Sequence, residues 1–154
     1  IRLIERKPVA IWQYQGQLTL LDDEGIQLNR ISASELAAFD RLPLMVGDGA
    51  AQQLPALFDM LTDTPDLVPH IEAALWVGQR RWDIQLRNGM KVKLPEQKSL
   101  ESWQRFADMA DEYKLLARNI AVLDMRLDDR LFMQQVEMPQ TSDAPQRSKG
   151  AHNT

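Results

Sequence analysis

The sequence has no cysteine and only two histidines, His70 and His152. That excludes disulfides and thiolate metal sites, and it leaves the choice of compartment open. Neither imidazole has a ligand set beside it, so no metal or other cofactor is expected. Asp22-Asp23-Glu24 could suggest a metal loop, but Gly25 and the flanking strand pattern make a solvated turn the better reading. Basic residues are in deficit. Against 22 Asp and Glu stand 18 Lys and Arg, for a net charge of -4, without the basic stripe of a nucleic-acid binder. No run approaches the roughly 18 apolar residues of a membrane span. Residues 1–6 alternate like a strand rather than forming the apolar core of a signal peptide. Because the first residue is Ile, the sequence reads as a fragment with its targeting segment upstream. G-x-S-x-G, a glycine-rich phosphate loop and H-E-x-x-H are also missing, so no catalytic residue and no small-molecule substrate is assigned.

What is present is a chain of 154 residues with 44% hydrophobic content, enough for one core and part of a second domain. Residues 2–14 read as extended, with Pro8 at a break in the ladder or on an edge. Strands are expected over 17–21 and 26–28, joined by the turn at Asp22–Gly25. Ser32-Ala33-Ser34-Glu35 has the spacing of a capping box and predicts a short helix through Phe39. Residues 42–46 are apolar and end in Gly47-Asp48-Gly49, which leads into a helix whose regular part begins near Gln53. There Leu54, Leu57, Phe58 and Leu61 recur at the spacing of one buried stripe, and Pro55 fits only the first turn.

From residue 71 the signal changes to strands. Trp82, Ile84 and Leu86 alternate with Asp83, Gln85 and Arg87, and Met90, Val92 and Leu94 alternate with Lys91 and Lys93. Asn88-Gly89 invites a two-residue turn, but that would set Leu86 opposite Lys91 and split the apolar residues between two faces. Pairing Leu86 with Met90, Ile84 with Val92 and Trp82 with Leu94 keeps one apolar face. It requires a three-residue loop, Arg87-Asn88-Gly89, with Gly89 left-handed. The other face, bearing Asp, Gln, Lys and Arg, is left for solvent.

Residues 99–117 form the longest expected helix, with Leu100, Trp103, Phe106, Ala107, Ala110, Tyr113 and Ala117 on one side and Asn119 able to end it. The aromatic stripe reads as packing of that helix on the sheet, not as a ligand box. Residues 120–127 are a strand, Asp128-Asp129 a turn, and residues 130–136 a final strand. Beyond Met138 the Pro-, Ser- and Gln-rich composition predicts a disordered tail. The fold class is α+β: a mostly antiparallel β-sheet with helices packed on one face.

The order of short motifs along this chain resembles that of the bacterial cell-division family FtsQ/DivIB. Ile4-Glu5-Arg6-Lys7-Pro8-Val9-Ala10-Ile11-Trp12 is similar to its V-x-E-R-x-P-x-A-x-W segment, which closes the POTRA domain. Leu21–Gly25 resembles the L-V-D-x-x-G turn, and Leu42–Ala50 the L-P-x-L-V-G-x-G-A run. Arg80-Arg81-Trp82-Asp83-Ile84 with Asn88-Gly89 resembles the R-R-W-x-L…N-G hairpin, and Leu123–Arg130 the D-L-R-x-x-D-R segment.

The resemblance implies three parts: residues 1–16 as the end of the POTRA domain, residues 17–136 as an FtsQ-type β domain, and residues 137–154 as a tail. It also implies a single-pass inner-membrane anchor upstream, with this domain in the periplasm at the division septum. The family is implied to bind FtsB- and FtsL-type proteins, linking early and late divisome components, by adding a partner strand to the last edge. The partner-binding residues it implies are Arg126, Leu127, Asp129, Arg130, Leu131, Phe132 and Met133, with Arg80 and Arg81 available to an acidic partner segment. At the final turn this chain departs from many relatives, carrying Leu127-Asp128-Asp129-Arg130 where they have an aromatic and small residues. Two other function classes stand beside this reading: a POTRA-associated chaperone or transport module capturing extended polypeptides, and a small periplasmic hydrolase.

Overall fold

A computed structural model describes residues 6–127 and 130–136 of the chain. Its strands are β1 (Ala10–Tyr14), β2 (Gln17–Leu21), β3 (Gln27–Ile31), β4 (Leu44–Val46), β5 (Ile71–Val77), β6 (Arg81–Leu86), β7 (Lys91–Lys93), β8 (Ile120–Leu127) and β9 (Arg130–Gln135). Its α-helices are α1 (Leu54–Leu61) and α2 (Ser99–Glu112). The strands join in one sheet of order β3-β2-β1-β4-β5-β6-β7-β8-β9. Five of the eight joins are antiparallel; β1–β4, β4–β5 and β7–β8 are parallel. The expected turn at Asp128-Asp129 and the expected tail lie outside the described residues.

The hairpin between β6 and β7 has the register that the apolar pattern requires. Ile84 stands opposite Val92, Leu86 N–H donates to Met90 O at 2.8 Å, and Leu94 N–H donates to Trp82 O at 3.0 Å. The loop is Arg87-Asn88-Gly89, and Gly89 takes a φ of 94°. The register carries one row of side chains across seven strands: Trp12, Met45, Ala74, Ile84, Val92, Leu123 and Met133. Met45, Ala74, Ile84, Val92 and Leu123 are buried, and Leu54, Leu57 and Met60 of α1 and Trp103, Phe106 and Ala110 of α2 join them in one core. Each such large apolar side chain stabilises the fold by about 1.5–3 kcal/mol through burial.

The helices are shorter and less regular than the sequence predicts. In α1 it is Met60, not Phe58, that is fully buried with Leu54, Leu57 and Leu61; Phe58 is half-buried. The expected helix over 99–117 ends at Glu112, because Lys114 turns left-handed at φ 51° and only a single 3-10 turn, Leu115–Ala117, follows. Tyr113, just past the helix end, and Leu100, in its first turn, are exposed, while Leu115 is in the core. Glu35 accepts the Ser32 N–H at 2.7 Å as the capping box requires. Residues 33–39 nevertheless wind as 3-10 helix with no buried residue, so no apolar stripe is there to impose the α-helical repeat. Leu36 and Phe39 of that segment share a cleft with Ile11 and Leu44, on the sheet face opposite α1 and α2. The third strand runs over Gln27–Ile31 rather than 26–28.

The turn before β3 is held by one carboxylate. Asp22 is 2% exposed. It accepts hydrogen bonds from Arg6 Nη1 at 2.6 Å, Ile26 N–H at 2.8 Å and Glu24 N–H at 3.0 Å. Gly25, at φ +81°, lies so close to the start of α1 that a Cβ there would sit 2.3 Å from Ala51 O. A glycine is therefore required, and the turn is pinned to the helix layer.

Candidate functional site

Among the described residues the sheet has two terminal strands, β3 and β9. They differ in chemistry. Facing outward, β3 carries Gln27, Asn29 and Arg30, all exposed. In contrast, β9 carries Phe132 and Met133, each 54% exposed, followed by Val136 at 53%. Among the described residues, no strand pairs with the outer edge of β9. Its N–H and C=O groups on that side form a template for another strand, and its apolar side chains enlarge what such a strand could cover.

The two faces of β9 are unlike. Met133 ends the core row beside Leu123, and Leu131 is partly buried against the core. On that side Ile120, Met133, Gln135 and Val136, with Arg118 and Asn119, line a cleft of about 330 Å³. Phe132 lies on the opposite face, at the end of the row Leu75, Asp83, Lys93, Asp124, Phe132.

That row alternates in charge, and the arginines beside it are already engaged. Arg126 donates from Nη2 and Nε to Asp124 at 2.6 and 2.9 Å, and Arg81 Nη1 is bonded to Asp83. In each case the partner is two residues away on the same strand, which puts both groups on one face. The sequence carried this signal as Arg-x-Asp and Asp-x-Arg. Asp83, expected on a solvated face, is instead 5% exposed, with Arg81 bonded to it.

The structure brings together Arg126, Leu127, Phe132 and Met133, and it separates Arg80 and Arg81 from them. Arg81 stands on β6, three strands from β9, or about 14 Å at the usual strand spacing. Arg80 is exposed in the turn just before β6. Leu131 is less available than a free edge residue, since it packs inward. Arg130 belongs to β9 by its backbone, and Asp129 lies outside the described residues.

Two carboxylates titrate below their ordinary value of 3.8. For Asp22, burial pushes the carboxyl up, but the bonds from Ile26 N–H, Arg6 and Glu24 N–H outweigh it. For Asp124 the leading cause is the hydrogen bond from Arg126, partly opposed by burial. A depressed carboxylate stabilises the fold above its unfolded-state value, and that stabilisation is lost as pH falls through the lower folded-state value. Melting temperature should therefore hold from neutral pH to about 4 and drop steeply below. The Asp22→Asn variant should start lower at pH 7 and lose less between pH 5 and 2. Parallel curves for the two proteins would show that Asp22 does not contribute to acid sensitivity.

Among the described residues no group of His, Asp and Glu is arranged to hold a metal ion, and no helix is long and apolar enough to cross a membrane.

Residues 10–126 match the family model described as "Cell division protein FtsQ/DivIB, C-terminal". The cell division protein FtsQ of Bartonella bacilliformis is 36% identical over 131 residues, 85% of this chain and 42% of that protein. FtsQ of Zymomonas mobilis is 38% identical over 128 residues, 82% of this chain and 40% of that protein. The chain thus spans about two fifths of the length of these relatives. A solved structure of the major extracytoplasmic domain of DivIB from Geobacillus stearothermophilus overlaps 73% of this chain and 97% of that one, with a TM-score of 0.47 and 12% identity.

Proposed function

The chain belongs to the FtsQ/DivIB family of cell-division proteins, and from that premise we propose that it is a non-enzymatic divisome scaffold that binds its partner by strand addition at β9. The observation that carries the reading is the outermost position of β9 combined with its half-exposed Phe132 and Met133. An added strand satisfies the free backbone groups, while alternate side chains choose the partner. Residues facing the Met133 side would extend the core row into the cleft beside Ile120; residues on the Phe132 side would meet Arg126.

The partners in this proposal are FtsB- and FtsL-type proteins, and the setting is the periplasmic face of the inner membrane at the septum. A strand added beyond β9 lies too far from Arg81 to touch it, so Arg80 and Arg81 belong to the site only if the partner also covers the sheet face. Residues 1–16 are in this proposal the end of a POTRA domain. Because β1 is bonded to β2 on one side and β4 on the other, the junction with residues 17–136 is a shared strand rather than a loose linker.

Purification of the intact protein from its own cells tests the reading. One short partner in fixed proportion supports it. A mixture of weakly held extended polypeptides indicates the chaperone or transport reading, and turnover of a substrate by the purified protein indicates the hydrolase.

A further inference from the structure

The largest cavity among the described residues is a groove of about 840 Å³ at the margin of the sheet, where the ends of β1, β4, β5 and β6 meet α1. Val9, Pro43, Ile71 and Arg87 mark those strand ends, and Phe58 and Leu61 come from α1. Its nearest strand, β6, stands three places from β9, so the groove is separate from the edge already described. Leu61 and Ile71 are buried, Phe58 is half-buried and Val68 is 40% exposed, which leaves apolar surface open to solvent. The volume falls in the range of roughly 300–1,000 Å³ that suits a small ligand, and so a few side chains rather than a domain face.

The charged part of the lining is two cations, Arg41 and Arg87, against one anion, Asp40, on a chain whose net charge is -4. Among the described residues no ion pair involves any of the three, and the Arg41 side chain makes no hydrogen bond. Arg87 is fixed by the main chain instead. Its Nε donates to Pro69 O at 3.1 Å and its Nη2 to Asp40 O at 3.3 Å, which leaves Nη1 for a further acceptor. A guanidinium already held in place loses less freedom when it takes a carboxylate. The backbone around the groove, by contrast, offers few donors. Pro43, Pro65 and Pro69 have no N–H, Val9 N–H is given to Leu21 O, and Arg87 N–H to His70 O. A strand has no free ladder to join there, so an occupant is read by its side chains. We propose that the groove docks a short amphipathic segment of another protein, one that sets an Asp or Glu beside a cluster of apolar side chains. The apolar cluster covers Phe58, Leu61, Val68 and Ile71, and the carboxylate reaches Arg41 and Nη1 of Arg87.

In the test, the full-length protein is titrated by fluorescence anisotropy with a labelled, end-blocked peptide, acetyl-Leu-Leu-Glu-Leu-Phe-amide, and with its counterpart carrying Gln for Glu. The Glu peptide should bind saturably and roughly tenfold tighter than the Gln peptide, since two exposed arginines each contribute up to about fivefold. Arg41→Gln removes no bond of the free protein. It should weaken the Glu peptide by up to about fivefold and leave the Gln peptide unchanged, because only one of the two can couple to the arginine. Asp40→Asn should tighten the Glu peptide by removing the opposing charge. Val68→Asp, at a position already 40% exposed, should abolish its binding. Equal affinity for the two peptides, binding that survives Val68→Asp, or no binding at all overturns the proposal. So does self-association of the protein that Val68→Asp abolishes, since the groove then holds a second copy. Capture at β9 is measured separately with Phe132→Glu, so either proposal can fail while the other stands.

Discussion

Glutamate in place of Phe132 should abolish partner capture while leaving the protein folded. Phe132 is 54% exposed and closes the outer row beside Asp124, so the free protein loses little packing when it is replaced. A surface change of this kind costs within about 0.5 kcal/mol, and a like charge facing Asp124 adds a few tenths more. The melting temperature should move by only about 2–4 °C. In the proposed complex the same position would lie within the added strand's contact, where a buried aromatic anchor contributes about 2 kcal/mol or more, or roughly thirtyfold in affinity. Phe132→Leu should keep most of the binding, because it preserves an apolar contact. Undiminished capture by Phe132→Glu, measured by titration of the purified partner, would remove β9 as the binding edge.

The second large effect is on stability. Trp103 is fully buried, lies against Phe106 with ring centroids 5.1 Å apart, and donates Nε1–H to Thr64 Oγ1 at 2.8 Å. With the bond that Gln104 Nε2 donates to Asp63 Oδ2 at 3.2 Å, it ties α2 to the loop after α1. Trp103→Ala should cost about 3–5 kcal/mol for the lost packing and the cavity, a large share of the roughly 5–15 kcal/mol that a domain has in total. Trp103→Phe fills most of the space but leaves the Thr64 hydroxyl without its donor, and should cost about 1–3 kcal/mol. Urea unfolding of the two variants separates these contributions. If both lose the same amount, the hydrogen bond and not the volume is what matters at this position.

The parts of the fold that were legible in the sequence are those governed by side-chain parity. The loop Arg87-Asn88-Gly89 followed from keeping Trp82, Ile84 and Leu86 on the face of Met90, Val92 and Leu94, and no knowledge of the other strands was needed. The three parallel joins were not legible, because periodicity says which way a residue faces but not which strand lies beside it. The end of α2 was missed for a related reason. The apolar stripe continues in sequence through Tyr113 and Ala117, but Lys114 turns left-handed, and it is Leu115 that enters the core while Ala117 stays exposed. At the candidate site, the position of β9 was readable as a last amphipathic strand, and its place at an edge followed from the family resemblance rather than from periodicity. The arginines were read as open to a partner because their charge was counted and their neighbours two residues away were not. Asp83 holds Arg81 and Asp124 holds Arg126 in the free protein. A partner's carboxylate must therefore displace an existing bond, so binding should owe less to salt than the number of arginines suggests.

From β4 onward the strands stand in the sheet in the order in which they occur in the chain, and β9 is the last of those described. That part of the sheet is therefore added from one side to the other as the chain emerges. The core row up to Leu123 is contributed by strands that all precede β9 in the chain. A chain that stalls or is clipped before Arg130 can still fold most of its core, yet it presents β8 and not β9 at its margin, with a different sequence of side chains to offer. If β9 is the recruiting edge proposed above, competence to recruit a partner would report that translation has passed β9, and copies that stop short of it would be screened out by the same edge that admits the partner.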